Sequence, residues 1–289
     1  MRVALLSIED LTDFVADDEL LVEPLRRLGH VAEFVPWRAA VEWWKYDGVV
    51  IRTTWDYQNH LPAFLGVLQE IETQTRLANP LEIVKWNADK KIYLEDIEKR
   101  GGKIVPKIWS DRKIDSQQIQ SWFEQLKTDQ MVIKPTIGAN AQYAFRLKRG
   151  SVHAGELSEV FEKRSYMVQP FMCGIVEEGE FSLFYFNGEY SHTILKTPKA
   201  GDFRVQEEHG GIIQSTKPTA DLLATGEKIM QFISPTPLYA RVDFVRTDDG
   251  DFAVVELELI EPSMYLREAE HAPQMFAEAI ARWLRKTPA

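Results

Sequence analysis

Three carboxylates in the stretch LYARVDFVRTDDGDFAVVELELIEP have the spacing to hold a metal ion: Asp243, Glu256 and Glu258. Asp249-Gly250 reads as a two-residue hairpin turn between two apolar runs. That loop sets Asp248 opposite Asp251, Asp243 opposite Glu256, and Arg241 opposite Glu258. Strand side chains alternate between faces, so Arg241, Asp243, Glu256 and Glu258 share one face. Val242, Phe244, Leu257 and Leu259 take the other. Like charges facing each other on a sheet repel, so these carboxylates need a cation among them. A hard divalent ion meets that need, and Mg2+ typically takes one or two carboxylates plus substrate phosphates. A solvated acidic face with Arg241 as its counter-ion would explain the pattern as well.

A second chemical feature is Lys134, which closes the apolar run Met131-Val132-Ile133. Lysine is seldom buried without a partner, which points to an anion nearby. The following residues, Pro135 to Ala141, are mostly small and include Gly138. Small residues let backbone N–H groups approach a phosphate. A surface hairpin with an exposed lysine fits nearly as well. Histidines offer less: His192 falls in a strand, His209 lies beside Gly210-Gly211, and no pair has metal-ligand spacing. No G-x-S-x-G occurs, which excludes that form of serine hydrolase.

The elements that must position these groups alternate strand and helix at first. Val3–Leu6, Val31–Val35 and Gly48–Ile51 read as strands, Asp18–Leu28 and Leu61–Ile71 as helices, and Val41 to Trp44 as a Trp-rich helical segment. Such alternation suggests a parallel sheet of βαβ units, with ligands at the carboxyl ends of its strands. Arg52-Thr53-Thr54-Trp55-Asp56-Tyr57, directly after the third strand, is therefore a candidate substrate loop. A plain strand-to-helix connection capped by Thr54 or Asp56 is the alternative.

A new unit begins near Val84. Asp89 caps a helix over Lys90–Lys99 that stops at Gly101-Gly102. Strands follow at Ile104–Ile108, Met131–Lys134, Tyr143–Leu147 and Tyr166–Gln169, with a helix at Ser116–Leu126. From Glu180 onward the pattern is mostly β. Phe181–Phe186 and Tyr190–Leu195 flank Asn187-Gly188, a strong hairpin signal. Helices close the pattern at Thr219–Gln231 and Pro273–Leu284. The expected class is α/β in the N-terminal part and α+β in the C-terminal part.

Length and composition set bounds. The 289 residues are 45% hydrophobic and 27% charged, enough for two or three domains of roughly 100–200 residues each. A net charge of −10 argues against nucleic acid or an anionic membrane as main partner. A local cluster of Lys and Arg can still bind a phosphate. The single cysteine, Cys173, excludes an internal disulfide and suits a reducing compartment. With no signal peptide or membrane span in the sequence, a cytoplasmic location is expected. Trp43 and Trp44 are candidates for a homodimer surface.

Set in order, these pieces resemble the ATP-grasp superfamily in its glutathione synthetase-like branch. The resemblance runs from residue 1 to about 266. It implies an N-terminal α/β domain over 1–84, a central subdomain over 85–170, and a C-terminal subdomain over 171–289, the last two clasping ATP. It implies that Lys90 (or Lys91) and Lys134 bind phosphates beneath a mobile loop at Gly138. Val168-Gln169-Pro170-Phe171-Met172 resembles the hinge that holds adenine, with Glu177 or Glu178 on the ribose and Leu257 against the nucleotide. Asp243, Glu256 and Glu258 fall on the metal ligands, where Glu258 stands in place of the usual Asn. Lys196, Arg204 and Arg241 take catalytic roles, and His209, Gly210 and Gly211 join Arg52, Asp56 and Tyr57 around the substrate. A tighter match is to a subgroup that includes the O-ureido-serine cyclo-ligase of cycloserine biosynthesis. It rests on Arg-Thr-Thr-Trp-Asp-Tyr, Trp-Asn-Ala-Asp-Lys, Gly-Asp-Phe-Arg-Val-Gln and Glu-Leu-Glu-Leu-Ile-Glu-Pro-Ser.

The resemblance implies an ADP-forming ligase using ATP and Mg2+ (or Mn2+) on a small molecule that carries a carboxylate and an amine. The cations would neutralise the γ-phosphoryl group as it transfers, and the acyl-phosphate would be attacked by the amine. The amine could belong to a second molecule or to the same one. An ATP-binding sensor or scaffold without catalysis is the third reading. No side-chain nucleophile is required, so Cys173 is read as a packing residue.

Overall fold

In the computed structural model, which describes residues 1–150 and 154–286, the chain forms three sheets. The first is β2-β1-β3-β4, from β1 (Arg2–Ser7), β2 (Val31–Pro36), β3 (Gly48–Thr53) and β4 (Leu77–Ala78), and all its pairings are parallel. The second, β5-β8-β6-β7, is antiparallel and joins β5 (Ile108–Ser110), β6 (Gln130–Pro135), β7 (Phe145–Lys148) and β8 (Tyr166–Pro170). The third, also antiparallel, has the order β11-β10-β9-β12-β13, from β9 (Glu180–Phe186), β10 (Glu189–Thr197), β11 (Ile212–Thr216), β12 (Tyr239–Arg246) and β13 (Phe252–Glu258). This is the mixed α/β class expected.

The third sheet is the scaffold of the site. Asn187 (φ 51°) and Gly188 (φ 82°) are both left-handed, so they close β9 onto β10 as a two-residue turn with Phe186 opposite Glu189. Every residue of β9 is buried, because helices cover one face of the sheet and the rest of the molecule covers the other. Helix Lys90–Lys99 places Tyr93, Leu94 and Ile97 against Val242, Phe244 and Leu257, beside Leu222 and Ile229 of helix Ala220–Met230. Asp89 caps the first of these helices by accepting from the Lys91 N–H at 2.9 Å.

Chain order and packing part company at the C-terminus. Helix Ala272–Arg285 returns to the first sheet, where Phe276, Ala277 and Ile280 pack with Val3, Leu5 and Val50. Phe276 also stacks on Phe186 at 4.4 Å between ring centres. The N-terminal sheet and the third sheet thus share one core.

Several expected elements shift. The strand placed at Ile104–Ile108 is Ile108–Ser110, and Ile104 makes only a single parallel bridge to Val254. The first helix opens as a 3-10 turn, Asp18–Leu21, before the α-helix Val22–Arg27. Helix Leu81–Asn87 and strand β11 carry no matching expectation. The latter is a largely exposed edge strand without the alternation that marks a half-buried one. Trp43 is 2% exposed in the core and Trp44 is 63% exposed, so the two do not form one apolar surface.

Candidate active site

The carboxylate hairpin reaches its register by two departures that cancel. Only Gly250 of Asp249-Gly250 has a left-handed backbone, so the two-residue turn does not form. Instead Thr247 and Asp251 close a three-residue loop, with Thr247 N–H donating to Asp251 O at 2.8 Å. The expected pairing of Asp248 with Asp251 is therefore wrong, and Arg246 faces Phe252. A bulge between Asp243 and Phe244 then leaves Val255 unpaired and shifts the ladder back by one residue. Beyond it Asp243 faces Glu256, Val242 faces Leu257 and Arg241 faces Glu258, as the sequence suggested.

Each carboxylate on this face meets a cation. Lys196 on β10 lies 2.6 Å from Glu180 and 3.3 Å from Asp243, all three groups buried. Arg241 reaches Asp243 at 3.0 Å and also binds Glu258. Lys90 lies 3.0 Å from Glu256, and Lys134 lies 3.9 Å from its other oxygen. Burial would raise the Asp243 pKa, but Arg241 and Lys196 bring it down to about 2. Burial also opposes ionisation of Glu256, and Lys90 and Lys134 outweigh it. Glu258 goes the other way: burial, with Glu256 and Asp243 close by, pushes it up to about 7 despite Arg241. Among the described residues no three His, Cys, Asp or Glu side chains gather as a metal cluster. The oxygen set is thus two ionised carboxylates, Asp243 and Glu256, which suits a hard cation completed by phosphate oxygens. Glu258 is tied to Arg241.

The opposite wall is the segment after β6. Lys90 Nζ donates to Gly138 O at 2.6 Å, and the Lys90 N–H donates to Thr136 O at 2.9 Å, so one lysine holds both the loop and Glu256. Lys90 and not the exposed Lys91 faces the cleft. Asn140, Ala141 and Tyr143 have φ of 51°, 53° and 58°, a left-handed run without glycine. His209 bonds Asn140 O at 3.2 Å and ties this loop to the one bearing Arg204.

One cleft collects most of the expected residues: Lys90, Lys134, Gly138, Gln169, Phe171, Met172, Lys196, Arg204, Arg241, Asp243, Glu256, Leu257, Glu258 and Tyr57. Its apolar sector adds Val132, Ile175, Phe203 and Val255. Arg204 lies 2.8 Å from Asp202 on its own loop. Pro170 sits in the ladder opposite Met131 and does not line the cleft. Glu177 is exposed, and Glu178 pairs with Arg246 at 2.9 Å, so neither reaches the cleft. Glu180 reaches it instead. It begins β9, where alternation aims it at the same face as Asp243. Gly210 and Gly211 lie off the cleft, and a Cβ on Gly211 would come within 2.0 Å of Val205 O, so its role is close packing.

Arg52 and Asp56, expected near the substrate, do not line the cleft. Arg52 is 1% exposed and donates to Asp18 at 2.7 Å and to Pro262 O at 2.9 Å. Asp56 accepts from Trp37 Nε1 at 2.7 Å and pairs with Arg38. The Arg-Thr-Thr-Trp motif serves a strap, Ile260–Met264, in which five successive carbonyls each accept one side-chain donor. These are Tyr239 Oη (2.7 Å), Trp55 Nε1 (2.8 Å), Arg52 Nη2 (2.9 Å), Arg241 Nη1 (3.2 Å) and His192 Nε2 (3.1 Å). Glu261, Ser263 and Tyr265 from this strap line the cleft. Sequence reasoning missed them, although Glu261 continues the charged sequence Glu256-x-Glu258.

Known proteins resemble this chain in sequence and fold. The family described as "D-cycloserine synthetase DcsG, N-terminal domain" matches residues 3–79. The cycloserine biosynthesis protein DcsG of Streptomyces lavendulae is 29% identical over 283 residues, covering 92% of this chain and 93% of that protein. The crystal structure of D-cycloserine synthetase DcsG superposes with a TM-score of 0.86 at 27% identity, covering 99% of this chain and 100% of that one. The chain shares the fold of the ATP-grasp ligases. A more distant relative in fold is the ATP-grasp ligase PsnB, solved with minimal precursor, Mg and ADP. It has a TM-score of 0.66 at 12% identity and covers 98% of each chain. Among the described residues, no helix is long and apolar enough to cross a membrane.

Proposed function

We propose that this chain is an ATP-grasp ligase that uses Mg-ATP to activate a carboxylate as an acyl-phosphate and joins it to an amine of a small, amino-acid-like substrate. The observation that carries the reading is the convergence of Lys90, Lys134, Lys196 and Arg204 with Asp243 and Glu256 on one cleft. The apolar sector at Val132, Phe171, Met172, Ile175 and Leu257 suits adenine, and Glu180 suits the ribose hydroxyls. Asp243 and Glu256 would hold Mg2+, or Mn2+, which when bound supplies positive charge against the phosphates. The cations then neutralise charge on the γ-phosphoryl group as the carboxylate oxygen takes it and ADP leaves. Attack by the amine nitrogen on the acyl carbon breaks the acyl C–O bond and releases phosphate. An exposed, unpaired Cys173 suits a reducing, cytoplasmic setting.

The test is release of ADP and phosphate with Mg-ATP across L- and D-amino acids and O-ureido-serine. Stimulation by an amino-acid-like carboxylate is expected, and its absence would leave only a nucleotide-binding module. Likeness to DcsG over nearly the whole chain favours intramolecular ring closure as a second reading. A product built from one molecule of a single compound would show it, whereas a product joining two would show the intermolecular reaction.

A further inference from the structure

Glu261 is 8% exposed and lines the cleft, yet it has no Lys, Arg or His nitrogen within ion-pair distance among the described residues. The other buried or half-buried carboxylates of the cleft all have one. Glu180 and Asp243 have Lys196, Glu256 has Lys90, and Glu258 has Arg241. Lys90 is the nearest candidate for Glu261 and is already committed to Glu256 and Gly138 O. A buried carboxyl ionises readily only beside a cation, and among the described residues none lies at ion-pair distance.

The strap makes the position rigid. Trp55 holds the carbonyl of Glu261 itself, and Arg52 and Arg241 hold the next two. These bonds fix the backbone that carries the side chain at the wall of the cleft. The Tyr57 hydroxyl donates to the Glu261 carboxyl, and Ser263 and Tyr265 also line the cleft.

We propose that Glu261 anchors the ammonium group of the molecule whose carboxylate is activated, a group distinct from the attacking amine, with Tyr57 and Ser263 completing a subsite for a primary amine. The proposal rests on the ligase reading above and names the element that selects an amine-bearing substrate. The phosphates and the activated carboxylate belong at the lysine end, so a substrate held at both ends is a zwitterion of amino-acid type. Burial and the nearby Glu258 push Glu261 up to about 8, so an arriving cation is what ionises it.

The test uses the full-length protein, Mg-ATP, and L- and D-serine, their O-ureido derivatives and glyceric acid, which lacks the amine. Wild type should release ADP with an amine-bearing probe and not with glyceric acid. Glu261→Gln should raise KM for that probe at least about tenfold, the scale of one charge-assisted hydrogen bond. It should leave kcat, thermal stability and calorimetric affinity for Mg-AMP-PNP unchanged, and Glu261→Asp should recover part of the KM. An unchanged KM in Glu261→Gln, or equal stimulation by glyceric acid, overturns the subsite while the ligase reading stands. Loss of Mg-AMP-PNP binding also overturns it and makes Glu261 a metal ligand. No stimulation of wild type by any probe sinks the ligase reading, and the subsite with it.

Discussion

Two polar clusters on or just after strands look alike in sequence, yet one turns its charges to the cleft and the other turns them to the chain itself. On the hairpin β12–β13, Asp243 and Glu256 border the cleft with lysines on either side. After β3, Arg52, Trp55 and Asp56 spend their hydrogen bonds on Asp18, Trp37 and the strap. Residue type shows that a group needs a partner. It does not show whether the partner is a ligand or another part of the fold, because Asp18 and Pro262 lie 34 and 210 residues from Arg52.

The sharpest way to break the contrast is to remove charge at each cluster and read activity and stability separately. Glu256→Gln removes one of the two ionised carboxylates while keeping its shape. Turnover should fall by about a hundred- to a thousandfold, the usual scale for losing one electrostatic contact at a transferring group. Thermal unfolding should shift less than in Arg52→Met, since the Gln amide oxygen and Gly138 O can still accept from Lys90. Near-normal kcat in this variant would dismiss the hairpin as the metal site.

Arg52→Met should do the reverse. It leaves Asp18, only 4% exposed, without its cation, and frees the Pro262 carbonyl. Breaking a buried pair from one side costs about 3–5 kcal/mol, read as a lower urea midpoint. Asp18→Leu added to Arg52→Met should restore part of that stability, as apolar replacement of both partners often does. A drop in activity with unchanged stability would return Arg52 to the substrate.

The same contrast explains what was legible in the sequence. Hairpin and helix positions depend on local signals such as Asn187-Gly188, the Asp89 cap and alternation in β12. Even the hairpin register came out right only because the three-residue turn and the bulge at Val255 offset each other. Glu180 is three residues from the expected Glu177, and only the start of β9 decides which carboxylate enters the cleft. The strap was illegible, because its five donors come from three separate regions of the chain.

A smaller test at the far end of the strap uses pH. His192 stacks on Phe184 at 4.2 Å, accepts from Ser191 Oγ at Nδ1 and donates to Met264 O from Nε2, so it is buried neutral. Burial holds its pKa down at about 4. An unfolded chain takes up the proton near 6.5, so stability is complete above that pH and falls as pH drops toward 4. The loss is about 3 kcal/mol at most, from 1.36 kcal/mol per unit. Urea midpoints at pH 7 and pH 4.5 should show it, and His192→Asn should flatten the difference. An equally steep profile in His192→Asn would assign the titration elsewhere.

The least effect belongs to the wall opposite the hairpin. There the loop carries Ala141 at φ 53°, a left-handed conformation that costs an L-residue about 1–2 kcal/mol. Ala141→Gly removes that strain but gives the unfolded chain more freedom, worth about 0.4–1 kcal/mol in the other direction. The balance is a gain of about 0.5 kcal/mol, visible as a slightly higher urea midpoint. Lys90 and His209 hold this loop by its carbonyls at Gly138 and Asn140, which the substitution leaves in place. The affinity for Mg-AMP-PNP should therefore stay the same. A lower midpoint would mean that the loop is not left-handed in solution, and that its path over the cleft is set by nucleotide rather than by the chain.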